Sequence, residues 1–226
     1  MSSTPTQLRE GVEYRALELP LAPTGDALPV DPVRFDLLVL ECSEPQRSHS
    51  GEARRAMERL AAEHASTEIR VATLTPSGRP IALQSGDTAD VQVSASHAAG
   101  LVAAVCRTGR EGIGVDLVDP SSAGPGLDWW DGPQADKSRT NAERAAVWAA
   151  REAAYKAAKT DLPFSPAAIT VRLSDEAAFD WQIDSAGDPI AGRGRFFSIA
   201  DRLLAVAVQL ESAASAAREE EVVVCS

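Results

Sequence analysis

Two carboxylates and a lysine have types and spacing that suit shared chemistry. Asp116 closes the segment Gly112-Ile-Gly-Val-Asp116 among the apolar neighbours Val115, Leu117 and Val118. A carboxylate on an apolar strand is costly to bury unless it is paired or metal-bound. Glu152 and Lys156 stand four residues apart in Trp148-Ala-Ala-Arg-Glu152-Ala-Ala-Tyr-Lys156. With Trp148 they share one helical face, flanked by Arg151, Tyr155 and Lys159. Asp116 and Glu152 together would hold Mg2+, which takes few protein oxygens and completes its shell with water and substrate phosphates. Lysine and arginine beside that metal would neutralise phosphate charge in a phosphoryl transfer. Each piece alone has a plainer reading. Asp116 would be a strand-end residue facing solvent, and Glu152–Lys156 an ordinary i,i+4 pair among good helix formers.

The elements that must position these residues fall into two series. Residues 33–41 read as a strand, 51–63 as a helix with Ala53, Met57 and Leu60 at helical spacing, and 69–74 as a strand. A turn at 75–80 follows, then strands at 91–94 and 101–106. The second series runs strand 114–118, a Pro/Gly/Ser-rich loop at 120–133, helix 141–159, strand 169–173, and strands 195–199 and 203–210. Leu101-Val-Ala-Ala-Val105 and Leu204-Ala-Val-Ala-Val208 echo one another at the ends of the two series. The expected fold is α+β, a pseudo-twofold duplication of two similar α+β halves with the active site between them. Its parts are a proline-rich extended leader at 1–31, an N-terminal half at 32–112, a C-terminal half with the metal site at 113–212, and a helical or frayed tail at 213–226.

Composition bounds the function. The chain has 226 residues, 44% hydrophobic and 24% charged, which is globular. A net charge of −11 argues against a partner that is nucleic acid. Arg47, Arg54, Arg55, Arg59, Arg79, Arg107 and Arg110 nevertheless enrich the first half in positive charge, leaving room for a local basic pocket. Three widely spaced cysteines form neither a disulfide framework nor a zinc pattern. No signal-peptide pattern and no apolar run of roughly 20 residues is present, so the expectation is a cytoplasmic protein without membrane partners.

Taken together, the motifs resemble those of the 4'-phosphopantetheinyl transferase superfamily, in its pseudodimeric, surfactin-synthetase-associated (Sfp-type) form. That family pairs a Gly-(Val/Ile)-Asp strand with a Trp-x-x-Lys-Glu-(Ala/Ser)-x-x-Lys helix, matched by Gly114-Val-Asp116 and by Trp148 to Lys156. Ser94-Ala-Ser96-His97 resembles its Ser-x-Ser-His element, and Gly78-Arg79-Pro80 its Gly-(Lys/Arg)-Pro turn. Arg47-Ser-His-Ser-Gly51 resembles its Arg-x-x-x-Gly element. The resemblance covers residues from about 33 to 210. It implies that Asp116 and Glu152 bind Mg2+ and that Lys156, with Arg151 nearby, contacts the pyrophosphate of coenzyme A. It also implies that Arg47, Ser96 and His97 meet the 3'-phosphate end, while Gly78, Arg79 and Pro80 border the adenine. Alone, His97 reads as a surface turn histidine; His49 and His64 read as surface residues. The implied reaction is phosphopantetheine transfer to the serine of an acyl or peptidyl carrier protein in polyketide, peptide or fatty-acid synthesis, with Glu152, Asp116 and Lys156 as the catalytic set. The duplication makes a monomer sufficient.

Three departures from that pattern matter. Val118 stands where many relatives place a third acid, and Asp119 should face the other side of the strand. Arg151 replaces a lysine, changing the geometry of a phosphate contact. The basic helix of larger members has no counterpart before Arg47. An alternative reading is therefore a catalytically weak or inactive relative that binds coenzyme A or a partner. An unrelated Mg2+-dependent phosphohydrolase needs only the two carboxylates. The pair Trp129-Trp130 is either a core plug or an exposed docking anchor.

Overall fold

The computed structural model describes residues 5–9, 11–19, 32–42, 49–74, 78–98, 100–122, 140–174, 177–185 and 188–210. Arg47, the Trp129-Trp130 loop and the tail from 213 lie outside these residues, as does the side chain of His49. The described chain is a mixed α+β fold dominated by sheet.

Runs of apolar residues build strands buried on both faces. In β3 (Val33–Glu41), Phe35, Leu37 and Val39 enter one core while Leu38 enters another. Strand β8 (Leu101–Thr108) splits the same way, with Leu101, Ala103 and Val105 against Val102, Ala104 and Cys106. Such double burial explains why these strands read as continuous apolar runs and not as alternation. With β2 (Glu13–Leu19) and β7 (Val91–Ala98) they form an antiparallel sheet in the order β2-β3-β8-β7. The second sheet joins β10 (Ile169–Leu173), β11 (Ala178–Ile183), β12 (Ile190–Ile199), β13 (Arg202–Gln209) and β9 (Ile113–Val118), in that order. Strand β1 (Thr6–Leu8) adds to β12 in parallel. A small sheet of β4 (Arg70–Thr73), β5 (Pro80–Gln84) and β6 (Asp87–Thr88) lies apart.

The two large sheets face each other across a shared core, where Phe35 meets Phe197 edge-on at 6.3 Å. Helix α1 (His49–Ala65) covers the outer face of the first sheet, and α2 (Asn141–Ala158) that of the second. The result is four layers, helix–sheet–sheet–helix. In each large sheet the strand before the helix lies beside the last strand of its series, which lies beside the penultimate one: β3-β8-β7 and β9-β13-β12.

Close approach of α2 to β9 sets up the site. The buried face of α2 is nearly all alanine, with Ala149, Ala150, Ala153, Ala154, Ala157 and Ala158 in its core. A Cβ on Gly112 would lie 1.7 Å from the Ala157 carbonyl oxygen, and one on Gly114 1.9 Å from that of Ala153. Only hydrogen fits at either position, so the helix backbone sits directly on the strand. Thr140 and Glu143 close a reciprocal capping box at the start of α2, a device that contributes about 1 kcal/mol.

Two expectations change. The stretch expected as an extended leader contributes β1 and β2 to the sheets, with Leu8 and Leu19 buried in the shared core. Strand β11, unread from sequence, alternates buried Phe179, Trp181 and Ile183 with more exposed residues. Its rings lie over Gly194 and Gly192 of β12, where a Cβ would meet them at 2.0 and 2.4 Å.

Candidate active site

Side chains alternate along β9, so Ile113, Val115 and Leu117 fill the core between the sheets while Gly112, Gly114 and Asp116 face α2. Asp116 is 5% exposed, which overturns the reading of a solvent-facing strand end. Its Oδ1 accepts hydrogen bonds from Ser96 Oγ and from Lys156 Nζ, both at 2.8 Å. Lys156 Nζ also donates to the Val115 carbonyl at 2.9 Å and lies 3.7 Å from Glu152 Oε2. The ammonium thus sits between the two carboxylates. Ser94 Oγ accepts from the Val115 amide at 3.2 Å, so a serine of β7 satisfies the backbone of β9 where its sheet ends.

Electrostatics follow from this crowding. Burial, then the neighbouring Asp116 charge, pushes Glu152 from its ordinary 4.5 up to about 7, against the opposing pull of Lys156. For Lys156 burial acts to lower the pKa, but Asp116 and Glu152 outweigh it and hold the ammonium above its ordinary value. The carboxylate pair therefore carries more negative charge than one lysine balances. Asp116 and Glu152 supply hard oxygen donors of the kind that could hold a divalent cation such as Mg2+. Among the described residues no group of three His, Cys, Asp or Glu side chains could hold a metal.

A cleft of about 560 Å3 opens between the two sheet-and-helix units at this point, within the range of small-molecule sites. Glu152 and Lys156 line one wall; Gly78, Arg79, Pro80 and His97 line the other. Gly78 adopts φ 73°, a left-handed turn that aims Arg79 inward before Pro80 begins β5. Arg79 Nη1 donates to the Lys159 carbonyl at 2.6 Å, across 80 residues of chain. Tyr155 and Phe164, whose rings lie 5.1 Å apart, add an aromatic rim. A larger cleft of about 870 Å3 near Thr140 and Arg202, at the other end of α2, contains none of these groups.

Not every expected residue joins the site. Arg151 is buried and donates from Nε to the Ile169 carbonyl at 3.1 Å, on the β10 side of α2, so it is not positioned as a pyrophosphate contact. Ser96 directs its hydroxyl to Asp116, not into open cleft. His64 is no free surface residue: its Nδ1 lies 3.1 Å from Oδ2 of buried Asp36. Asp119 accepts from Ser121 N at 2.8 Å and lies 3.9 Å from Arg202, away from Asp116. Lys159 lines the cleft as well, where the sequence marks only a charge flanking the Glu152–Lys156 face. Its spacing, three residues beyond Lys156, was the available signal. Neither the family models nor the curated proteins compared with this chain match it, so its function rests on the geometry of this cleft.

Proposed function

We propose that the chain is a Mg2+-dependent 4'-phosphopantetheinyl transferase, taking phosphopantetheine from coenzyme A to a serine of an acyl or peptidyl carrier protein. One observation carries the reading: Glu152 and Lys156, with Asp116 buried behind Lys156, form one wall of a cleft whose opposite wall brings Gly78, Arg79, Pro80 and His97. These residues come from both units and are part of the set the motif resemblance implies, which Arg151 and Ser96, turned to other partners, do not join.

Bound by Asp116 and Glu152, Mg2+ would supply Lewis-acid charge to the pyrophosphate. Glu152, which lines the cleft beside Lys156, is suited to accept the proton of the carrier serine. The new bond joins serine oxygen to the β-phosphorus, and the bond to the leaving adenosine 3',5'-bisphosphate breaks. Lys156, kept charged by its two carboxylates, is suited to neutralise that leaving phosphate. Asp116 orients Lys156, and Ser96 orients Asp116.

A pseudo-twofold origin for the fold belongs to the same proposal. The shared strand order β3-β8-β7 and β9-β13-β12, each sheet with one helix on its outer face, supports it. A cytoplasmic monomer is the matching state, since both walls of the cleft come from one chain. With a net charge of −11, docking of an acidic carrier would need a local patch, not general attraction.

A second reading is a binding relative with little turnover. Val118 in place of a third acid and Arg151 turned toward β10 favour it. Incubation with coenzyme A, Mg2+ and an apo carrier separates the two. The transferase adds the mass of one phosphopantetheinyl group to the carrier, and Asp116→Ala or Glu152→Ala abolishes the gain. Coenzyme A binding with no mass gain across a panel of carriers would establish the second reading instead.

A further inference from the structure

The two large sheets meet edge to edge beside the site. Strand β7 ends the first sheet and β9 the second, and no backbone ladder joins them among the described residues. Hydroxyls of β7 bridge the gap instead. Ser94, which is buried, accepts from the Val115 amide at 3.2 Å, while Lys156 donates to the carbonyl of the same residue at 2.9 Å. Ser96, two residues on, donates to the side chain of Asp116, at Oδ1 and 2.8 Å.

The two hydroxyls meet different needs. The Val115 amide is a backbone donor that any acceptor would satisfy. Ser96 is half-buried between Ala95 and His97, which line the cleft, so water is an alternative partner for it. Asp116, 5% exposed, has little such alternative. One donor alone, Lys156 on its long flexible stem, leaves the carboxylate free to turn about its Cβ–Cγ bond. A second donor, arriving from the neighbouring strand, fixes its plane. Both donors fall on Oδ1, so Oδ2 carries no hydrogen bond from either.

We propose that Ser96 is a positioning residue: from the N-terminal unit it sets the plane of the Asp116 carboxylate, and with it the oxygen offered to a cation shared with Glu152, whereas Ser94 only holds the strand. The cation rests on the transferase reading; the fixing of Asp116 does not. The N-terminal unit then shapes the carboxylate end of the cleft as well as the wall at Gly78, Arg79 and Pro80. The motif resemblance gives Ser96 a different task, at the 3'-phosphate, from which its bond to Asp116 withdraws it.

Mn2+, a paramagnetic substitute for Mg2+, titrated into the full chain and followed by electron paramagnetic resonance of the free ion, tests the role. Ser96→Ala should weaken Mn2+ binding by about 10-fold or more, as loss of a group that orients a metal ligand does, in a chain that still melts cooperatively. Ser96→Thr, which keeps the hydroxyl on a side chain that suits a strand, should restore the affinity. Ser94→Ala should lower the Tm, because the Val115 amide is orphaned, and keep the Mn2+ affinity. Equal affinity in Ser96→Ala and the wild-type chain overturns the role, as does an equal loss in Ser94→Ala. If the wild-type chain binds no Mn2+, the metal reading fails separately, and crystal structures of the wild-type chain and Ser96→Ala decide. An Asp116 carboxylate turned about Cβ–Cγ in the variant upholds the role; an unmoved one overturns it.

Discussion

Each sheet-and-helix unit buries one aspartate on its leading strand, facing its helix, and the two have different fates. Asp36 of β3 meets His64 of α1 at 3.1 Å. Asp116 of β9 meets Lys156 of α2 and Ser96 of β7, with Glu152 beside them at the edge of the cleft. The contrast lies in how the helix sits. Helix α1 packs through Met57 and Leu60 as well as alanines, whereas α2 lays Ala153, Ala157 and the Cβ of Lys156 on the glycines facing it. Close approach lowers α2 until its carboxylate and ammonium share the environment of the strand's aspartate. A buried acid is a structural group when one neighbour satisfies it, and a candidate reactive group when a second acid crowds it.

The largest test of that contrast is Gly114→Val. Its Cβ would fall 1.9 Å from the Ala153 carbonyl oxygen, a clash with backbone, and should cost about 3 kcal/mol or more in denaturant unfolding. Gly51→Ala on α1, whose Cβ would find only the end of Arg55 at 3.7 Å, should stabilise by up to about 1 kcal/mol. Equal effects at the two glycines would remove the packing distinction.

A smaller effect follows from Glu152, whose folded pKa of about 7 exceeds its ordinary 4.5. Between those values the folded chain binds more protons than the unfolded one. The stability contributed by this group is full below about pH 4.5 and is lost as pH rises through about 7. Glu152→Gln should therefore raise stability at pH 8 by about 2 kcal/mol, a Tm increase of roughly 4–8 °C, and change little at pH 4. Thermal melts at the two pH values check the sign; a Tm lowered at pH 8 would show that the carboxylates are balanced. Smallest is Asp36→Asn, which should cost about 1–2 kcal/mol through its contact with His64 while leaving carrier modification intact. Loss of carrier modification in a folded Asp36→Asn chain would make the two aspartates functionally alike.

Much of the site was legible because its signals are local. The Gly-Val-Asp116 strand sets a carboxylate among apolar neighbours, and the i,i+4 step from Glu152 to Lys156 marks a common face. Local signals do not fix direction or long-range partners. Arg151 precedes Glu152 in sequence but is turned about 100° around the helix, toward Ile169 and away from the cleft. His64 gave no hint of Asp36, 28 residues away.

By itself the sequence determined the start of α2, through the Thr140–Glu143 capping box, and the extent of β3 and β10, through apolar runs and turn residues. It also determined which residues of β9 share a face with Asp116, because strand alternation is a property of the backbone. Tertiary structure alone decided that residues 6–8 and 13–19 are sheet strands, since their hydrogen bonds go to partners far along the chain. It alone decided that Arg79 would meet Lys159, because the contact requires two units to pack before either side chain has a neighbour. Helix caps and strand alternation are written in a few consecutive residues, whereas a cleft exists only once two separately formed surfaces have closed on each other.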